Sequence, residues 1–207
     1  MRGTSGRARS REQRTARIEQ VALELFRSRG FDRVTVEDVC AEAGVGPATF
    51  YRHFGTKEGV VFSYRDAFTA ALRASIEAAA GAPAPARLGA VLGRFAGFLE
   101  TQRELLAVRD EIVLGNERLL HRTLVVQRDM EAQLAEGLAA LRGVPPSDAL
   151  VRLEAGLGVL VLRTAVRSWR AGEEDALPAA VDRALADVRG LLAPPPRVTG
   201  PGDTLRS

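Results

Sequence analysis

Two short apolar stripes separated by Gly44-Val45-Gly46-Pro47 constrain this chain more than any other stretch. In Thr35 to Phe54, TVEDVCAEAGVGPATFYRHF, the residues Val36, Val39, Cys40 and Ala43 recur at helical spacing, and Phe50 and Phe54 recur four residues apart beyond the break. Thr35 suits an N-cap, with Asp38 three residues on as a shorter capping-box acid. Gly44 stops the first helix, and Pro47 is pre-set for the first position of the second. The spacing predicts a helix over 36–43, a tight glycine turn and a helix over 47–54, the arrangement of a helix-turn-helix unit.

On a helical wheel, Phe50 and Phe54 form the buried stripe of the second helix. Ala48 and Arg52 lie opposite, flanked by Thr49 and Tyr51, with His53 nearer the boundary. A helix about 10–12 Å across fits a major groove about 12 Å wide, so this face is suited to DNA base edges. Pro47 and Ala48 are small enough for close approach and for contact with a thymine methyl. They carry no side-chain hydrogen-bonding group, which leaves polar readout to their neighbours. Arg52 matches guanine or a phosphate, and Thr49, Tyr51 and His53 match phosphate oxygens. Taken singly, Arg52 on an exposed face reads first as a solvated charge, and a lone His or Tyr as a packing group; the constellation is what favours DNA.

Charge distribution supports the same end of the chain. The net charge is only +3, but Met1 to Arg17 holds six arginines against one acid, Glu12. From Asp66 onward acids slightly outnumber bases, so only the front third has reason to seek phosphate. Residues 1–10, rich in Arg, Gly and Ser, are expected to be a disordered basic arm, either a solubilising tail or a DNA contact. From Arg11 to Arg29, Ile18, Val21, Ala22, Leu25 and Phe26 give one helical stripe that stops at Gly30. Lys57 is the only lysine; it follows the N-cap candidate Thr56 and is well placed for a phosphate at a helix N-terminus.

These residues carry a resemblance. Thr35 to Phe54 followed by Gly55-Thr56-Lys57-Glu58, after a helix ending Leu25-Phe26 and Gly30-Phe31, resembles the DNA-binding domain of TetR-family transcriptional regulators. The string TFYRHFGTKE is the most specific part, and the likeness covers residues 11–71. It implies a recognition helix at Pro47 to Phe54, with phosphate or base contacts from Thr35, Thr49, Tyr51, His53 and Lys57. It also implies that the following helix, expected over Lys57 to Ala80, relays ligand binding to the DNA readers.

With 46% hydrophobic and only 5% aromatic residues, the chain is expected to be all-α, either one compact unit or a small domain and a larger one. Gly81 to Pro85 reads as a loop. Stripes then predict helices over Leu88 to Leu99, Leu105 to Leu114, Asn116-capped to Arg142, Ser147-capped to Ala171, and from Leu177 to Leu192. The segment AGLGVLVL, apolar on nearly all sides, suggests burial between partners. Together with the last helix it points to a homodimer through a four-helix bundle, as the resemblance also implies. Residues 72–193 form the expected regulatory and dimerisation domain, and 194–207, rich in Pro and Gly, a disordered tail.

A two-fold pair of readers suits a palindromic operator on double-stranded DNA. The resemblance places a small-molecule effector, apolar or amphipathic, among helices spanning Arg87 to Arg170, with Phe95, Phe98, His121, Arg163 and Trp169 as candidate lining groups. For His121 and Arg163 a solvated or locally paired side chain is the competing reading. Two histidines, a single cysteine and no phosphate loop or metal-spaced cluster leave an enzyme without a constellation, so no cofactor or metal is expected. A helical interaction module or architectural DNA protein is the remaining alternative. Cys40 is expected to pack as a small hydrophobe. With no signal-peptide stretch and no run long enough to span a bilayer, the expected location is the cytoplasm.

Overall fold

The computed structural model describes residues 4–193, with side chains from Ser10 onward. Its elements are α1 (Thr4–Arg29), a 3-10 turn (Phe31–Arg33), α2 (Val36–Ala43), α3 (Pro47–Phe54), α4 (Lys57–Val61), α5 (Arg65–Ala78), α6 (Ala84–Glu100), α7 (Arg103–Leu114), α8 (Glu117–Arg142), α9 (Ala149–Ala171) and α10 (Leu177–Leu192). Among the described residues there is no strand, and no helix is long and apolar enough to cross a membrane. The expected tail at 194–207 lies outside the described residues.

Two apolar cores organise these helices. The first gathers Ile18, Phe26, Phe31, Val39, Cys40, Phe50, Val60 and Val61 from α1 to α4, and is completed by Ile112, Val113 and Leu119 from the α7–α8 corner. The second starts at Leu72 and runs through α5, α6, α8, α9 and α10. α10 packs on α6 and α9, and α8 lies between α5 and α9. The small N-terminal unit therefore borrows part of its core from the larger one, which fixes their relative position at α7. Cys40 is buried in the first core, and burial pushes its thiol pKa up.

Several boundaries differ from the sequence expectation, α6 among them, which starts at Ala84 inside the stretch read as a loop. α1 begins at Thr4, inside the stretch expected to be disordered: once the Ile18 to Phe26 stripe has formed a helix, each added residue gains a hydrogen bond without a new nucleation cost. The connector expected as one helix over 57–80 is broken into α4 and α5. Its apolar spacing runs on through the break, but the Val61 carbonyl accepts from Arg109 Nε at 2.9 Å, while the Arg65 amide turns back to the Phe62 carbonyl at 3.2 Å. A partner distant in sequence has taken an acceptor that a continuous helix would use. The cap of α9 is Asp148 rather than Ser147: its Oδ1 accepts from the amides of Leu150 and Val151 at 3.0 and 3.1 Å.

Candidate nucleic-acid interface and effector cavity

The elements on either side of α3 fix its position. At the α2 N-terminus Thr35 and Asp38 close a reciprocal capping box: the Asp38 amide donates to Thr35 Oγ1 at 3.1 Å, and the Thr35 amide and hydroxyl donate to Asp38 Oδ2 at 2.8 and 2.7 Å. Those bonds hold the Asp38 carboxyl below its ordinary pKa. They also commit the Thr35 hydroxyl proton, leaving an outside phosphate no donor from that side chain in this arrangement. Gly44 ends α2 in the left-handed region at φ 68°, and the Val45 amide returns to the Cys40 carbonyl at 3.0 Å, turning the chain into Pro47.

α3 presents the face expected of it. Phe50 is fully buried, Phe54 is half-buried, and Pro47, Ala48, Tyr51 and Arg52 are exposed, with Thr49 and His53 between. His53 Nδ1 lies 3.0 Å from Thr15 Oγ1 on α1. That hydroxyl donates to the Arg11 carbonyl at 3.0 Å, so the ring nitrogen is the donor to it and Nε2 is left as the acceptor of the neutral ring. Burial, together with Arg11, Arg52 and Arg14, holds the His53 pKa below 6.5. The basic N-terminal helix thus runs beside the C-terminal end of α3, where Arg11, Arg14 and Arg52 form one exposed positive patch.

Lys57 departs from the picture of a flexible surface charge. Its Nζ donates to the carbonyls of Phe31 at 2.9 Å and Val34 at 2.7 Å, and it lies 4.6 Å from the Phe31 ring centre. Two of its three protons therefore tie α4 to the turn before α2. Sequence reasoning passed over Gly59. A Cβ there would sit 1.9 Å from the Phe54 carbonyl oxygen, so only glycine lets α4 abut the end of α3.

Further back lies a cavity of about 410 Å³. Of the predicted lining groups it brings together Phe95, Arg163 and Trp169. Phe98 is not in the wall; it stacks behind Phe95 with ring centres 6.1 Å apart. His121 is exposed near the start of α8, outside the cavity. The wall also includes Tyr64, Phe68, Asp110, Met130, Arg167 and Arg170. Arg170 pairs with Asp110; burial pushes the Asp110 carboxyl up, against the pull of that guanidinium.

The cavity wall is joined to the reading unit by Arg109, only 2% exposed. Its guanidinium pairs with Glu19 of α1, donates to Ser63 Oγ at 2.9 Å and to the Val61 carbonyl, and lies 5.3 Å from the centre of the Tyr64 ring. Ser63 in turn donates to Glu19 Oε1 at 2.8 Å. Asn116 makes a second tie, donating to Asp32 Oδ2 at 2.8 Å.

The family described as "Bacterial regulatory proteins, tetR family" matches residues 18–64. Over 199 residues the chain is 33% identical to the HTH-type transcriptional regulator TcmR of Streptomyces glaucescens, covering 89% of this chain and 87% of that one. The chain belongs to the TetR family. TetR-family proteins are DNA-binding transcriptional regulators rather than enzymes. Solved TetR-family structures share the fold. A regulator from Syntrophomonas wolfei matches with a TM-score of 0.63 at 17% identity, covering 90% of this chain and 98% of that one. Thermus thermophilus FadR, a TetR-family repressor in complex with lauroyl-CoA, matches with a TM-score of 0.56 at 24% identity, covering 91% and 99%.

Proposed function

We propose that this TetR-family regulator is a homodimeric repressor that binds a palindromic operator and is released by a small apolar or amphipathic effector. The carrying observation is the Arg109 junction: one buried guanidinium grips α1 and the end of α4 on one side and stacks on Tyr64 of the cavity wall on the other. A molecule that displaces Tyr64 acts on the seat of α3, and the equilibrium shifts by its differential affinity for the two arrangements.

DNA contact falls to Thr49, Tyr51, Arg52 and His53, with Pro47 and Ala48 at the base floor and the third proton of Lys57 toward a phosphate. In this reading Thr35 contributes by positioning α2. Dimerisation is supported by α9, where Leu150, Leu153 and Leu160 remain exposed on one helix, Leu153 at 69%. Two copies joined there would set half-sites about 34–36 Å apart, or at another spacing fixed by the dimer. The lauroyl-CoA held by FadR supports a small-molecule effector for this fold.

Footprinting on the DNA flanking the protein's own gene, repeated with candidate metabolites, tests this. A protected palindrome lost on adding one metabolite is the expected result. No protected palindrome there or in a genome-wide selection would overturn the reading.

A further inference from the structure

We propose that the cavity takes an organic carboxylate: an apolar body, aromatic or aliphatic, lodged among Phe95, Met130 and Trp169, with its acidic group received by Arg163 and Arg167. The proposal rests on the effector reading above and names the chemical class of that effector.

Three observations carry it. Arg163, Arg167 and Arg170 repeat on one face of α9 and all line the cavity. Arg170 is neutralised by Asp110, whereas among the described residues neither Arg163 nor Arg167 has a carboxylate within salt-bridge distance. Charges on a helix face are ordinarily just solvated, but the position of Arg163 is particular. Gln127, Val159 and Arg163 belong both to the cavity and to the open groove of about 720 Å³ between α8 and α9, so the guanidinium stands where groove and cavity meet. An anion there keeps part of its hydration and gains charge-assisted hydrogen bonds, while a cationic ligand would meet two unpaired guanidiniums.

The third observation lies deeper. Trp169 is 1% exposed and lines the cavity, yet its indole Nε1 is buried with no hydrogen-bond partner. That nitrogen has no accessible surface, so the ring meets the occupant as an apolar wall beside Phe95 and Met130, which calls for an apolar body there. A molecule with an acidic group at the mouth and an apolar body inside matches both ends; a hydrocarbon leaves the guanidiniums unpaired.

Calorimetric titration of the full-length protein with 2-naphthoate and laurate, each beside its methyl ester, tests the class. Trp169 is the only tryptophan, so its fluorescence independently reports whether laurate enters the cavity. At least one acid is expected to bind about tenfold tighter than its ester, and the preference to vanish in the Arg163→Gln/Arg167→Gln double variant while ester affinity holds. Which acid binds tells an aromatic from an aliphatic body. Esters binding as tightly as the acids, neither acid binding up to its solubility limit, or a preference that survives the double variant would overturn the proposal. Repeating the titrations on protein bound to its footprinted DNA separates the two readings. An acid that binds without releasing DNA refutes the effector reading and leaves the ligand class standing; release by an ester alone does the reverse.

Discussion

Arg109 of α7 closes on Glu19 of α1, and through that pair the helix that flanks the cavity is fastened to the helix that packs on α2 and α4 of the N-terminal unit. Glu19 has a second donor in Ser63, and Arg109 a second acceptor in the Val61 carbonyl, so the pair sits in a small network rather than alone. Removing one member of a buried pair strands the other. Arg109→Met is expected to lower unfolding stability by about 3–5 kcal/mol. Glu19→Gln, which keeps an acceptor, should cost less. Denaturant unfolding of the single and double variants measures the coupling, and additive losses would show that the two side chains do not act together.

Gly59 offers a sharper steric test. With the Phe54 carbonyl oxygen 1.9 Å from the place a Cβ would occupy, Gly59→Ala must push α4 off the end of α3. Overpacking of this kind costs about 1–3 kcal/mol, and here the neighbour is backbone, which has little room to yield. The variant is expected to melt lower and to lose DNA affinity beyond what its folded fraction explains. Unchanged affinity per folded molecule would mean that the α3–α4 abutment does not set the reading geometry.

Arg52 and Lys57 are both basic and close in sequence, but the structure gives them different work. Arg52 is exposed on the side of α3 opposite Phe50; if that side enters the groove as proposed, Arg52→Ala is expected to cost about 1–3 kcal/mol of discrimination at one base position. Lys57 holds two carbonyls inside the protein. Lys57→Ala therefore should lose about 1–3 kcal/mol of stability without any DNA present. On DNA it should weaken all sequences alike and reduce the salt slope by about one. Binding to a set of singly changed operators at several salt concentrations distinguishes the two patterns; matching profiles would refute this division.

How far these features could be read from sequence depended on whether their causes are local. The bounds of α2 and α3 are legible because Thr35, Gly44 and Pro47 each act on backbone within a few residues. The buried faces of α6 and α8 are legible because periodicity records them. The break after Val61 is not, since its cause is Arg109, whose Nε takes the Val61 carbonyl from 48 positions away in sequence. Lys57 stands out by its position, yet its bonds run to carbonyls 26 and 23 positions earlier, which spacing does not reveal. The cavity shows the same limit: Phe95 and Trp169 stand out as aromatics, whereas Asp110, Arg167 and Arg170 look like ordinary surface charges until the fold brings Asp110 of α7 to Arg170 of α9.

His53 supplies a test by pH. In the free protein its pKa is held below 6.5, because the ring is desolvated and sits near Arg11, Arg52 and Arg14. The unfolded chain therefore binds the proton more readily than the folded one. Stability associated with His53 is complete above pH 6.5 and is lost as pH falls through that value toward the folded pKa. DNA should reverse the direction. The neutral ring gives Nδ1–H to Thr15 and leaves Nε2 without a proton, so a phosphate facing Nε2 favours the charged form and raises the pKa. Operator affinity is expected to increase from pH 7.5 to 6 in the natural protein and to change less in His53→Asn. A ring-proton NMR titration should place the His53 pKa higher in the complex than in the free protein; an equal or lower value in the complex would remove His53 from the phosphate contacts.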